Sequence, residues 1–265
     1  MVRFAQILIL GNGNLPLWIL KALQSSSYAL QCASFKESNL SFFGNYCKKQ
    51  KISYTNFTQS SALKDYLSSI TQECLIISAN NYYIFPPEIL EKNTLKIINY
   101  HNSLLPAHRG LNAQMWSIFE EDKESGITWH CVNKDIDCGD IILQKHIDLG
   151  LEYTYFTLTQ EQLKSAYNAF VEIKDKILEW NFDCTKQEHF KKSTLHLKKD
   201  LPNNGFLDTT WNTQKQWAFL RSMDCQKSGA IPLPKVMQNG KIYTILNYTK
   251  NEKDAIHLTL KESNE

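Results

Sequence analysis

Cys74-Leu75-Ile76-Ile77-Ser78 is the stretch on which the fold turns. It is apolar without alternation, so neither face of such a strand is left for water. A strand buried on both faces belongs to a parallel sheet with helices on either side, and the text around it agrees. Upstream, Phe4 to Leu10 (FAQILIL) is a second apolar run, ending in the turn Gly11-Asn12-Gly13. A helical stretch with apolar Leu17, Leu20 and Leu23 follows. Between the two runs the pattern predicts strands at Ala29–Ser34 and Ser53–Asn56. It predicts helices at Asn45–Lys51 and Ser61–Ile70, the latter capped by Ser60 or Ser61. Downstream come a short helix opened by Pro86 and Pro87, a strand over Leu95–Tyr100 and a helix over Ala113–Phe119. Strands over Thr128–Val132 and Ile141–Ile147 precede a long amphipathic helix over Thr159–Trp180.

The alternation predicts an α/β fold, Rossmann-like, with a mostly parallel doubly wound sheet over residues 1–185. Residues 186–265 read as a small C-terminal α+β appendage. It has a helix at Thr213–Ser222 and a hairpin of Lys235–Gln238 and Lys241–Tyr248 about Asn239-Gly240. Ile256–Leu260 supplies a third strand.

Composition narrows the function classes. A net charge of +2 over 265 residues lacks the basic stripe of a nucleic-acid binder. Lys191, Lys192, Lys198 and Lys199 cluster near the C-terminal junction, but a solvated face accounts for them. Seven cysteines with no C-x-x-C pair fit free buried thiols in a reducing compartment. No run reaches the roughly 18 apolar residues of a membrane span, and the N-terminal run lacks a cleavage site. A cytoplasmic protein without a membrane partner is therefore expected.

The chemistry concentrates in Ile98-Asn99-Tyr100-His101-Asn102-Ser103-Leu104-Leu105-Pro106, with Arg109-Gly110 beyond, and in Asp135-Ile136-Asp137-Cys138-Gly139-Asp140. On a strand, Asn99 and His101 share a face, at the carboxyl end where open α/β sheets bind ligands. An amide and an imidazole can stabilise an oxyanion, and a carboxylate can hold the imidazole or take a proton. The plainer readings stand beside this one. Asn99 bonds loop backbone, His101 is a satisfied core histidine, and Asp137 braces a turn. Gly11-Asn12-Gly13 lacks the third glycine of a dinucleotide fingerprint, that place being Pro16, so no nicotinamide cofactor is expected. Asp135, Asp137 and Asp140 lack the spacing of a calcium loop, so no metal is expected. His108-Arg109 reads equally as a phosphate clamp and as a solvated loop, and Trp116 reads as packing.

The two blocks, with Gly126-Ile127-Thr128-Trp129-His130 before the second, resemble the signature of the folate-dependent formyltransferases: N-x-H-x-S-L-L-P, then a basic residue and glycine. That family includes glycinamide ribonucleotide, methionyl-tRNA and sugar N-formyltransferases. The formylating domain of linear gramicidin synthetase is similar as well. The resemblance covers residues 4 to 180. It implies Asn99, His101 and Asp137 as the catalytic trio and 10-formyltetrahydrofolate as the co-substrate. Tyr83, Ile84, Phe85, Pro86, Asp135 and Ile136 would line the folate side, with Ser103 and Arg109 toward the acceptor. Tyr82 departs from a frequent glycine, and Cys138 from the commoner glycine or threonine. The tail, with Phe219-Leu220-Arg221-Ser222-Met223, Gly229-Ala230 and Asn239-Gly240-Lys241, is similar to the tails of amino-sugar formyltransferases. It implies a dTDP- or UDP-linked amino sugar, as in lipopolysaccharide O-antigen synthesis. The alternatives are methionyl-tRNA, another small amine, or a folate- or nucleotide-binding module without turnover. A homodimer is the assembly allowed for.

Overall fold

The computed structural model describes residues 4–37, 41–187 and 193–263. Lys191 and Lys192 of the lysine cluster lie outside the described residues, whereas Lys198 and Lys199 are exposed. The chain forms two compact units. One comprises Met1–Arg109, Gly126–Lys145 and Gln162–Thr194, the other Gly110–Ser125, His146–Glu161 and Leu195–Glu265.

The first unit is built on a seven-stranded sheet. In chain order its elements are β1 (Gln6–Gly11), α1 (Asn14–Leu23), β2 (Ala29–Phe35), α2 (Phe42–Lys49), β3 (Ser53–Phe57), α3 (Ser60–Ser69), β4 (Cys74–Ala79), α4 (Pro87–Leu90) and β5 (Leu95–His101). Beyond the two-residue β6 (Arg109–Gly110) and α5 (Ala113–Phe119) come β7 (Glu124–Cys131), β8 (Ile141–Asp148) and α6 (Tyr155–Leu178). The strand order is β3-β2-β1-β4-β5-β7-β8, parallel from β3 to β5 and antiparallel where β5 meets β7.

The unbroken apolar runs are explained by the two cores. Ile7, Ile9, Leu75, Ile77, Ile98 and Tyr100 enter one cluster with Ile19 and Leu20 of α1, Phe43 of α2 and Phe170 of α6. Their strand neighbours Leu8, Leu10, Ile76, Leu95 and Ile97 enter the other, with Leu63 and Leu67 of α3 and Ile89 of α4. Alternate side chains thus leave the same strand for opposite apolar layers, as a doubly wound sheet requires. Trp129 is fully buried, donates its indole N–H to the Ala166 carbonyl at 3.0 Å and packs on Phe170, fastening β7 to α6.

Helix starts depart from the sequence pattern where polar caps govern. α2 opens three residues before Asn45 because Ser41 Oγ accepts the Gly44 N–H at 3.1 Å. α6 opens at Tyr155 rather than Thr159. Thr154 and Thr157 cap it reciprocally, with Thr154 N–H donating to Thr157 Oγ1 at 2.8 Å and Thr157 N–H to Thr154 Oγ1 at 3.3 Å. Neither Ser60 nor Ser61 caps α3; the cap position is Gln59, without a side-chain bond.

The turn after β1 has a specific economy of space. A Cβ on Gly11 would lie 1.8 Å from the Ala79 carbonyl oxygen, so only glycine lets β1 and β4 end together. The Gly13 N–H, at the positive end of α1, already donates to the Glu37 carboxylate at 2.6 Å.

The second unit continues with β9 (Leu195–His196), β10 (Phe206–Leu207), α7 (Thr213–Ser222), β11 (Lys235–Gln238), β12 (Lys241–Lys250) and β13 (Ile256–Glu262). Strands β10 to β13 form a four-stranded sheet beside Phe219 and Leu220 of α7, and Met115 of α5 joins that core. The hairpin turn places Asn239 at φ 51° and Gly240 at φ 74°, the left-handed pair that a two-residue turn demands. Trp116 stacks on His196 at 4.2 Å, a packing role. Among the described residues, no helix is long and apolar enough to cross a membrane.

Candidate active site

The side chains that form the site all belong to the first unit. Strand register creates the site. Ser78 of β4 is opposite Asn99 of β5, and Asn99 is opposite His130 of β7. The three side chains bond in a row: Ser78 Oγ to Asn99 Oδ1 at 2.7 Å, and Asn99 Nδ2 to His130 Nε2 at 3.2 Å. His130 Nδ1 lies 2.8 Å from the Cys131 carbonyl. A carbonyl only accepts, so Nδ1 carries the proton and Nε2 is the acceptor for Asn99.

The loop between β7 and β8 brings in the carboxylate. Asp137 Oδ1 lies 3.5 Å from His130 Nε2, and Oδ2 lies 3.4 Å from His101 Nδ1. Asp137 adopts a left-handed φ of 52°. Aspartate tolerates that region better than most residues. The buried Gln187 amide donates to the carbonyls of Asp137 and Gly139, both at 2.8 Å, and holds the turn from below. Gly139 closes it against β7: a Cβ there would stand 1.6 Å from the Cys131 carbonyl oxygen.

His101 is 4% exposed and its Nε2 donates to the His108 carbonyl at 2.8 Å. Burial pushes the imidazole below its usual proton affinity, against the opposing pull of Asp137 and of the carbonyl bond. A neutral ring has one N–H, held by that carbonyl, so Nδ1 presents its lone pair toward Asp137.

The structure thus brings Asn99, His101 and Asp137 together, and adds His130 and Ser78, which the sequence reading left without a role. His130 stood inside the second block, and only the β5–β7 register places it against Asn99. The other expected residues are distributed as follows. Tyr83 and Phe85 are buried and pack edge-on at 5.4 Å, rooting their loop in the second core, while Ile84 between them is 70% exposed. Ile136 is 37% exposed, and Pro86 and Asp135 flank these positions in the two loops. Tyr82 is exposed too. Arg109 Nη1 reaches Cys138 Sγ at 2.6 Å, which ties the loop after β5 to the Asp137 turn. Ser103 is buried, and its hydroxyl donates to the Ala107 carbonyl at 2.5 Å, within its own loop. Of the cysteines, Cys32, Cys47, Cys74 and Cys225 are buried, Cys131 and Cys138 are half-buried and Cys184 is exposed.

An amide N–H, a proton-poor imidazole and a carboxylate at the carboxyl end of a central strand of an α/β sheet suit transfer of an acyl group to an amine. The profile of the formyl transferase family matches residues 33–173, and the chain belongs to that family. It is 28% identical over 149 residues to the GDP-perosamine N-formyltransferase of Brucella melitensis biotype 1, covering 56% of each chain. It therefore spans little more than half the length of that relative. It is 27% identical over 218 residues to the phosphoribosylglycinamide formyltransferase of Haemophilus influenzae, across 76% of this chain and 96% of the relative. In fold it is similar to an N-formyltransferase from Helicobacter canadensis in complex with folinic acid and dTDP-3-aminofucose. There the TM-score is 0.73 at 18% identity, over 93% of this chain and 88% of that one.

Proposed function

We propose that the protein is an N-formyltransferase carrying the formyl group of 10-formyltetrahydrofolate to the amine of a nucleotide-linked amino sugar. The observation that carries this reading is the Asp137 carboxylate standing within 3.5 Å of both His101 and His130, beside the Asn99 amide. The amine nitrogen attacks the formyl carbon, and the oxygen takes up the electron pair of the broken C=O π bond. Asn99, with an N–H beyond the one given to His130, stabilises that oxyanion. The Asp137–His101 pair accepts the ammonium proton, forming an imidazolium beside a carboxylate. Collapse of the intermediate expels N10 of the folate, which recovers the proton. The products are the formamide and tetrahydrofolate.

The donor's ring lies against the loop Tyr83–Pro86 and the turn Asp135–Ile136, where exposed Ile84 and Ile136 offer apolar contact. Arg109 faces the acceptor's phosphates. The catalytic groups all precede residue 185, the following residues form an appendage, and the enzyme works in the cytoplasm. The names of the Brucella protein and the Helicobacter complex favour an amino sugar as acceptor. The Haemophilus relative favours glycinamide ribonucleotide as the second reading.

Thermal unfolding with added ligand tests the donor. A 5- or 10-formyl folate at 100 times its Kd stabilises the native state by about 2.7 kcal/mol and raises Tm, while NADH and NADPH leave it unchanged. A shift with a nicotinamide nucleotide and none with the folate would overturn the reading.

A further inference from the structure

The bonds around Asn99 extend beyond the reacting groups in both directions, and each end is a backbone group whose polarity is fixed. At one end the Tyr83 N–H donates to Asn81 Oδ1 at 3.1 Å. A backbone N–H can only donate, so Asn81 must turn its oxygen to Tyr83 and its Nδ2 the other way. That Nδ2 donates to Ser78 Oγ at 3.2 Å, and Ser78 passes its own hydroxyl hydrogen to Asn99 Oδ1 at 2.7 Å. Asn99 Nδ2 donates to His130 Nε2 at 3.2 Å, and His130 Nδ1–H ends the chain on the Cys131 carbonyl at 2.8 Å. Five links run in one direction, from a donor on the loop after β4 to an acceptor at the end of β7. Ser78 is 1% exposed and His130 is 2% exposed, so water does not substitute for either partner.

A carboxamide can rotate by half a turn at little steric cost, and only its partners decide which end points where. Rotated, Asn99 would set its oxygen against the unprotonated Nε2 of His130 and its nitrogen against Ser78. Its oxygen, rather than an N–H, would then share the His130 side of the site with the reaction centre. We infer that Asn81 and Ser78 are positioning residues that act through Asn99: with His130 they hold its amide so that an N–H faces the developing oxyanion. They also wire the folate-side loop, through Tyr83, to the catalytic amide. This rests on the formyl-transfer reading for its kinetic consequence, though not for the bond pattern itself.

Two variants break the chain at different links. Asn81→Asp keeps the acceptor for Tyr83 but has no hydrogen to give Ser78, whose hydroxyl then turns to the new carboxylate and releases Asn99. Ser78→Ala removes the link outright, and Ser78→Thr restores the hydroxyl. Nitrogen-15 NMR of the histidine rings reads the chain directly. In the wild type, His130 is the Nδ1–H tautomer with an unprotonated Nε2. In Asn81→Asp and Ser78→Ala that single tautomer gives way to a mixture of the two. In the same two variants kcat falls about tenfold while KM for the folate stays within about threefold, the split expected of a group acting only in the transition state. Ser78→Thr recovers both signals. A wild-type His130 protonated at Nε2, or a tautomer and kcat untouched in both variants, overturns the inference. A wild type that transfers no formyl group overturns the functional reading instead, and the ring spectra still decide the chain.

Discussion

Nδ1 of His101 lies 3.4 Å from Oδ2 of Asp137, while Nε2 of the same ring lies 2.8 Å from the carbonyl oxygen of His108. Both nitrogens face acceptors, while burial lowers the ring's proton affinity, and a neutral ring has a single N–H to give. In the proposed reaction, a proton released by the amine would pass between the Asp137 carboxylate and this ring.

Asp137→Asn keeps the left-handed turn, which asparagine tolerates, and removes the charge that an imidazolium at His101 needs. His101→Ala removes the acceptor. Each variant should lower kcat by about 100- to 1,000-fold, the scale on which single transition-state contacts act elsewhere. Far-UV circular dichroism should remain that of the wild type. Retention of more than about a tenth of kcat by either contradicts the roles assigned here.

The same burial links His101 to acid stability. Its folded proton affinity lies below the ordinary value of 6.5, so on acidification the unfolded chain binds this proton first. The contribution to stability is thus intact above pH 6.5 and declines as pH falls from there toward the lower folded value. Tm measured from pH 7 down to 5 should drop more steeply for the wild type than for His101→Gln. Parallel curves would show that the buried ring carries no such linkage.

Gly11 and Gly139 each stand where a Cβ would enter a carbonyl oxygen, that of Ala79 at 1.8 Å and that of Cys131 at 1.6 Å. Gly11→Ala and Gly139→Ala should each cost about 1–3 kcal/mol in urea unfolding, the range for overpacked interiors. Gly139→Ala should also lower kcat, because Asp137 rides on that turn, whereas folded Gly11→Ala should not. Equal kinetic losses in the two would detach the turn from the chemistry.

Much of this was legible in the residues. The unalternating Cys74–Ser78 run forecast a strand covered on both faces, and period two placed Asn99 with His101. The family blocks supplied Asp137. The interstrand register was not legible, because nothing within β5 states which residue of β7 it will meet. Hence His130 and Ser78 became site residues only when Ser78, Asn99 and His130 lined up across three strands. Helix starts were missed for a local reason: side-chain oxygens at Ser41 and Thr154 open the helices, and the apolar residues just after them (Phe42 and Phe43, Tyr155 and Leu158) already belong to the first turn. Ser103, expected toward the acceptor, bonds its own loop because the turn after β5 leaves the Ala107 carbonyl above it.

Arg109 is the cation that sequence proximity offers to an acceptor phosphate, and its guanidinium reaches the Asp137 turn through Cys138. Arg109→Ala should raise KM for a dTDP- or UDP-amino sugar about tenfold or more, as loss of a charged hydrogen bond does. The fall in kcat should be smaller, the mark of uniform binding. Cys138→Ser, which keeps an acceptor for Arg109, should leave KM near wild type. An unchanged KM in Arg109→Ala places the phosphate elsewhere.

The most direct test follows a labelled formyl group from 10-formyltetrahydrofolate into separate acceptors: dTDP-, UDP- and GDP-linked amino sugars, glycinamide ribonucleotide and methionyl-tRNA. The wild type and Asp137→Asn are assayed side by side. The account predicts a formamide on at least one amino-sugar nucleotide, with kcat/KM above that for the other two acceptor classes and nearly lost in Asp137→Asn. Formylation of the tRNA or of the ribonucleotide with no amino sugar modified, or label transfer that Asp137→Asn leaves intact, would contradict it.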